Sequence, residues 1–346
     1  MTPPLLKPHY PFEPIGSIAA LARALGLESS LLVAIAADAD GLYRLAKPII
    51  KADGSMRQPF DALPPLKAIH RRLKTRLLTG VVYPAYLTGS LVGRDYRVNA
   101  DLHKAGKIVI CEDISNFFPS VKAAAVRDIW QGLFNFPPDV AELLTKLCTK
   151  DGALPQGAIP SSYLANLVLW RLEPELQARF SALGLVYSRY VDDIAVSSKR
   201  HLSRPEQTQV ISAIYGMLAK VHLKAKRRKH ETFTASQRMV TTKLVVNKRP
   251  ALPKEKRAAI RAAVHRVELL SKSGALDAEG RRLLSSVAVQ VGQLGRFHAG
   301  PALQLKERLA AVRRAQAGYE TEDSCRLQAE RELQASTPIS SEPPPW

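Results

Sequence analysis

The chain has 346 residues, 46% of them hydrophobic, enough for a sizeable core and two or three subdomains. No apolar run approaches a membrane span, and the N-terminus MTPPLLKPHYPFEP lacks the pattern of a signal peptide; three widely spaced cysteines, Cys111, Cys148 and Cys325, argue against a disulfide framework or a cysteine zinc site, so a cytoplasmic location is expected. The net charge is +19, and because residues 319–346 hold six acids against two arginines, residues 1–318 carry +23, which suits a polyanion partner such as nucleic acid.

In chain order, residues 16–37 read as one or two amphipathic helices, and residues 43–60 as a hairpin turning at Asp53–Gly54. Leu66–Leu78 is expected as a basic helix and Lys107–Asp113 as a short strand ending in acid. An amphipathic helix is predicted from Ser120 to Leu133, with Pro119 near its start. Another is predicted over Ser161–Glu173, after the loop LPQGAIP. Val186–Ser198 reads as a second hairpin. Residues 253–314 read as helical, Pro253 opening one helix and Pro301 another with Leu305, Leu309 and Val312 on one stripe. The acidic tail beyond Tyr319, ending in PPPW, is expected to be disordered. No Gly-rich phosphate loop follows a strand. The fold class is α+β, a sheet covered by helices on one face.

Three acids stand out. Side chains alternate along Lys107–Asp113, so Val109, Cys111 and Asp113 share a face and Asp113 falls at the strand end. In SRYVDDIAVSS (188–198), Asp192 and Asp193 fall at the hairpin turn. Asp is favoured in turns in any case. If the two strands are neighbours, however, three carboxylates converge, and without a counter-charge burial would cost several kcal/mol each or drive protonation. Mg²⁺ solves this, since it takes hard oxygen ligands, and two such ions about 4 Å apart suit phosphoryl transfer.

Three blocks, CEDISNFFPS (111–120), LPQGAIPSSYLAN (154–166) and YVDD (190–193), resemble in order and spacing the reverse transcriptase family, from roughly Tyr43 to Val312. The resemblance implies a right-hand polymerase: an N-terminal helical extension (1–40), fingers (41–106), a palm of antiparallel sheet and helices with fingers insertions (107–247), and a helical thumb (248–318). It implies that Asp113, Asp192 and Asp193 bind two Mg²⁺ ions, with the Ile114 carbonyl as a further ligand. It places Phe118 as a gate against a ribose 2′-hydroxyl, Gln156 and Gly157 at the incoming nucleotide, and Lys51 and Arg57 on its triphosphate. Taken alone, Lys51 and Arg57 read as a solvated hairpin, and the resemblance reverses that preference; Lys67 is a weaker candidate of the same kind. In LKAKRRKHETF (223–233), Lys229 is similar to the lysine that protonates the leaving pyrophosphate, with Lys226 or Arg228 as alternatives and a basic phosphate-contacting patch as an equal reading.

No length remains after the thumb for a ribonuclease or endonuclease domain, so the chain is similar to the compact bacterial enzymes, retron-type and defence-associated. Asn99-Ala-Asp-Leu-His103 matches the NAxxH element of retron enzymes; Asn99 and His103, four apart, would share a helix face, whether for RNA or for a structural hydrogen bond. Two positions depart from that pattern. Val191 replaces the usual alanine, and VTTKLVVN (240–247) lacks the glycine of the family's Val-Thr-Gly element, so Thr242 would be strained at positive φ. Thr241, Thr242 and Lys243 are the expected RNA-binding residues there. The implied partners are a structured non-coding RNA as template, dNTPs, an RNA–DNA duplex and an effector protein in antiphage defence. The alternatives are a non-retron defence enzyme making long or repetitive DNA, and a catalytically silent RNA-binding scaffold.

Overall fold

The computed structural model describes residues 6–50, 54 and 56–336, the last seventeen by backbone alone. They divide into two compact units, up to Pro250 and from Ala251.

The first unit opens with α1 (Ile18–Leu25) and α2 (Ser29–Ala37). Ser17 caps α1 by accepting from the Ala20 N–H, and Gly26 ends it at φ +65, a left-handed residue that glycine adopts freely. The strands of the expected hairpin pair in two tiers, and Asp53 of its expected turn lies outside the described residues. β1 (Tyr43–Leu45) will pair with a later strand, while β2 (Ile49–Ile50) and β3 (Met56–Arg57) pair with each other, and β4 (Phe60–Ala62) closes on β1. The basic helix α3 (Pro64–Arg76) starts two residues early because Pro64 and Pro65 fit the first turn, where no N–H bond is lost. α4 (Tyr96–Leu102) follows, capped by Asp95.

The strand β5 (Ile108–Asp113) runs as read. The helix expected over Ser120–Leu133 is broken: α5 (Phe117–Ser120) ends at extended Val121, α6 (Ala123–Asp128) restarts, and a wide π turn over Ile129–Leu133 places Trp130 in a buried cluster with Phe134 and Phe136. Packing of that ring overrides the regular period. α7 (Pro138–Cys148) was not anticipated, although its buried Val140, Leu144 and Leu147 show the helical spacing. The helix predicted over Ser161–Glu173 divides into α8 (Ser161–Leu167) and α9 (Glu173–Ala182), with Pro174 starting the second.

The hairpin β6 (Leu185–Tyr190) and β7 (Asp193–Ser198) precedes α10 (Arg204–Lys220), a helix sequence reading missed despite its Ser203–Glu206 capping box. β8 (Glu231–Thr234) completes an antiparallel sheet of order β6-β7-β5-β8. β9 (Val240–Thr241) and β10 (Leu244–Val245) form a small hairpin.

The second unit is α11 (Lys254–Lys272), α12 (Ala278–Gly295) and α13 (Ala299–Ser336). Its core is a set of apolar stripes, Ile260, Val264 and Val267 on α11, Val287 and Val291 on α12, and the predicted Leu305, Leu309 and Val312 on α13. Each such side chain contributes about 1.5–3 kcal/mol on burial. The acidic stretch expected to be disordered continues α13 as far as Ser336. Its Ala, Glu, Gln, Arg and Leu are good helix formers, and net acidity does not oppose a helix. Residues 337–346 lie outside the described chain. No single helix among the described residues is long and apolar enough to cross a membrane.

Candidate active site

Sheet register brings the three acids together. β5 and β7 are antiparallel neighbours with Asp113 opposite Asp193, and Val191–Asp192 form the turn between β6 and β7. The Ile114 N–H donates to the Asp192 carbonyl at 2.9 Å, tying the end of β5 to that turn. The Lys226 N–H donates to the Asp113 carbonyl at 2.7 Å from the other side.

The turn is strained and firmly held. Val191 sits at φ +60, a conformation β-branched residues avoid. Its neighbour Gly89 allows this, because a Cβ there would lie 2.6 Å from the Val191 nitrogen. Beneath it, Arg189 is fully buried. Its guanidinium donates to the Val191 carbonyl at 3.1 Å, to the Asn166 carbonyl at 2.8 Å and to both oxygens of buried Glu173 at 2.6 and 2.7 Å. Tyr187 donates its hydroxyl to the same carboxylate at 2.6 Å. Strain of this kind persists only where the surroundings over-determine it.

Electrostatics mark the carboxylates. Withdrawal from water, then repulsion from Asp192 and Asp113, pushes Asp193 up to about 7, against the pull of Lys229 and Lys243. Burial also raises Asp192, with Asp113 adding to it and Arg57 and Lys229 opposing. Lys229, on a short 3₁₀ turn (Arg227–Lys229), donates to Asp113 Oδ2 at 2.5 Å. Desolvation works against its charge, but that bond and the three carboxylates raise it above the usual lysine range.

Asp113 and Asp192 open into a cleft of about 520 Å³, also lined by Arg57, Phe118, Gln156 and Lys229. Ile114 and Lys226 line it too. Phe118 is half-buried, whereas Phe117 is in the core. Gly157, at φ +106, has a reason besides a ligand: a Cβ would lie 2.5 Å from the Phe60 carbonyl, and Phe60 donates its N–H to the Gln156 carbonyl at 2.7 Å. Lys51 lies outside the described residues. Lys67 is held by Asp61 at 2.6 Å, away from the cleft, and Arg44 shares that acid.

The predicted RNA contacts Asn99, His103 and Thr241 are corrected by burial, at 1%, 1% and 4% exposure. Asn99 Oδ1 accepts from Thr88 at 2.7 Å and Ser188 at 2.8 Å, and its Nδ2 donates to Thr241 Oγ1 at 3.3 Å. The His103 ring bonds Ser188 and Ser197 at 2.6 and 2.8 Å. None of these three side chains faces solvent where RNA could reach it. Thr242 does adopt positive φ, +45, and Lys243 +65, as the central pair of the β9–β10 turn. The Thr242 hydroxyl donates to the Tyr96 carbonyl at 3.0 Å, which anchors the turn without a glycine. Lys243 is exposed.

Sequence reading missed Arg189, Glu173 and Gly89, and also Glu112, which is buried against His230 and Tyr215. Two of them have a signal in retrospect: an arginine inside a strand beside the paired acids, and a glutamate at a Pro-started helix.

Among the described residues, no three His, Cys, Asp or Glu side chains form a ready metal cage. The chemistry of the donors nevertheless fits a hard divalent cation: the carboxylates lie close enough for Asp113 to raise Asp192 and for both to raise Asp193, with a lysine ammonium drawn onto Asp113.

Residues 49–268 match the family model of the reverse transcriptase (RNA-dependent DNA polymerase). The chain is 33% identical over 339 residues to the retron Se72 reverse transcriptase of Salmonella heidelberg (strain 579083-10), covering 96% of this chain and 88% of that protein. It is 33% identical over 316 residues to the retron Ec48 reverse transcriptase of Escherichia coli, covering 87% and 77%. The retron Mx162 reverse transcriptase of Myxococcus xanthus is 28% identical over 302 residues, covering 78% and 61%. The chain belongs to the reverse transcriptase family and is an RNA-directed DNA polymerase of the retron type, with the polymerase fold of that family.

Proposed function

We propose that this retron-type reverse transcriptase copies a structured non-coding RNA into DNA at the cleft beside Asp113 and Asp192, with Asp113, Asp192, Asp193 and the Ile114 carbonyl holding two Mg²⁺ ions. The observation that carries this is the register: Asp113 stands opposite Asp193, with Asp192 in the turn between, at the mouth of a 520 Å³ cleft. Bound there, the ions would lower the pKa of the primer hydroxyl and offset charge on the triphosphate.

The chain's own residues have distinct tasks in this reading. Arg57, with Lys51, grips the triphosphate through charge-assisted hydrogen bonds. Phe118 stands against the sugar, where a 2′-hydroxyl would collide with the ring. Gln156 and Gly157 form the wall along the nucleotide, Gly157 keeping that wall tight against β4. Lys229 leaves Asp113 when substrate arrives and donates a proton to the departing pyrophosphate, a lysine ammonium being protonated at neutral pH. Lys243 and Thr242 offer the β9–β10 turn to RNA. In this assignment residues 1–40 are an N-terminal extension, 41–106 fingers, 107–247 palm with fingers insertions and 248–318 thumb.

The biological setting we infer is the bacterial cytoplasm, in antiphage defence with an effector protein, as for compact enzymes of this resemblance. The test is sequencing of nucleic acid that co-purifies with the protein expressed from its native locus, wild type beside Asp192→Asn. A short DNA of one sequence joined to a structured RNA, absent in the variant, is expected. Long or repetitive DNA would favour a different defence class, and RNA without DNA in both samples would favour a silent scaffold.

A further inference from the structure

The Asn99–His103 pair has no place in the chemistry just described, yet it sits directly behind it. His103 closes α4 and reaches the sheet, where one ring nitrogen meets Ser188 on β6 and the other meets Ser197 on β7. One ring therefore spans the two arms whose connecting turn bears Asp192. Asn99, one helical turn earlier, holds the same Ser188 hydroxyl. It also holds Thr88, whose N–H donates to the Arg189 carbonyl at 2.9 Å, and Thr241 on β9.

With the Asn99 amide in this orientation, the hydrogens between Asn99, Ser188 and His103 are fixed. Ser188 and Thr88 both give their hydroxyl protons to Asn99 Oδ1, so Ser188 can only accept from His103. His103 must then carry its proton on Nε2, and Nδ1 accepts from Ser197. Burial keeps the ring neutral, as this requires, with its pKa held down at about 4. All six members, Thr88, Asn99, His103, Ser188, Ser197 and Thr241, are buried, so no bulk water can take the place of a lost partner.

We propose, on the reading of Asp192 and Asp193 given above, that Asn99 and His103 are positioning residues that set the carboxylate turn against Asp113. The ladder of β6 and β7 fixes their register but leaves the hairpin free to twist and bend. A side clamp on both arms removes that freedom, and the turn it supports is the strained one at Val191. The clamp also continues to the β9–β10 turn, where Lys243 lies within the field of Asp193. RNA seated on that turn would act on the carboxylates through Thr241, Asn99 and Ser188 without touching them.

The test uses the full-length protein with Ser188→Ala, Ser197→Ala, Ser197→Thr and His103→Gln. Single-nucleotide addition on an RNA template gives kcat and the KM for dNTP. Mn²⁺ binding, followed by electron paramagnetic resonance without nucleic acid, gives a readout independent of turnover. In the two alanine variants kcat should fall on the order of tenfold to a hundredfold, because catalytic geometry tolerates little misplacement. The KM for dNTP and the RNA affinity should stay within about twofold of wild type, while Mn²⁺ binding weakens at least about threefold. Ser197→Thr, which keeps the hydroxyl, should restore both. Should His103→Gln fail to fold, the serine variants, each lacking a single hydroxyl, still decide. Folded alanine variants with wild-type kcat and wild-type Mn²⁺ binding would overturn the proposal and leave a purely structural network. Wild-type protein that makes no DNA would count against the carboxylate reading instead, and the Mn²⁺ isotherms would then judge the clamp alone.

Discussion

The first unit holds two concentrations of charge a few residues apart in sequence, and they are built on opposite principles. Around Glu173 every charge is answered: Arg189 and Tyr187 saturate the carboxylate, and the remaining guanidinium protons go to backbone carbonyls. At the end of β5 like charges are crowded together; Lys229, itself partly exposed, bonds Asp113, while Arg57 and Lys243 act on the other two acids through their fields. The first is fully buried and internally compensated; the second is open to solvent at Asp193 and is not compensated. The difference separates the part of the molecule that supports from the part that awaits substrate. The answered pair props the turn at Val191, and the unanswered carboxylates at that turn have coordination left to give.

If that contrast is right, removing one partner of the answered pair should damage folding before anything else. Glu173→Gln strands a buried guanidinium charge and should cost about 3–5 kcal/mol in urea unfolding. Glu173→Leu combined with Arg189→Met should recover much of that stability but not the activity, since the bond to the Val191 carbonyl is gone. Equal loss of stability in the single and double variants would break the contrast.

On the cleft side, Phe118→Ala should cost less stability than truncation of a core aromatic, because the ring is only partly buried. It should raise rNTP relative to dNTP incorporation by up to about a hundredfold, read as the ratio of kcat/KM values. Unchanged discrimination would remove Phe118 from the sugar site.

The smallest effect is on pH. Asp193 titrates higher in the folded chain, about 7, than its ordinary 3.8, so between those values the folded state binds more protons than the unfolded. That contribution to stability is complete below about pH 4 and is lost as the pH rises through 7. The metal-free protein should therefore show a Tm component that declines from pH 5 to pH 8, and Asp193→Asn should flatten it. A component that rises with pH would contradict the crowding of carboxylates.

The carboxylate end of the site was legible in sequence because its signals are local. Paired acids at a turn, an acid at a strand end and a glycine after Gln156 each mark themselves, and the antiparallel register of β5 with β7 then assembles them. The support was not legible. Asn99 lies on α4 and His103 at its C-cap, and the spacing brings both to Ser188, but spacing cannot tell whether such a pair meets RNA or a buried serine. Arg189 reads as one more basic residue in a basic chain until a glutamate sixteen positions earlier is seen against it. The helix breaks near Val121 and Val168 were likewise hidden, since tertiary packing of Trp130 and the start of α9 at Pro174 decide them. The acidic stretch shows the opposite case: its composition points to disorder, but its helix propensity prevails and the backbone is α-helical to Ser336.

The most direct test of the central claim is primer extension by the purified protein on a defined RNA template with dNTPs and Mg²⁺, wild type beside Asp192→Asn, with RNA affinity measured on the same samples. The account predicts DNA synthesis by the wild type, a loss on the order of 10⁴-fold or more in the variant, and RNA binding within about twofold in both. Synthesis at comparable rates in the two proteins would contradict it.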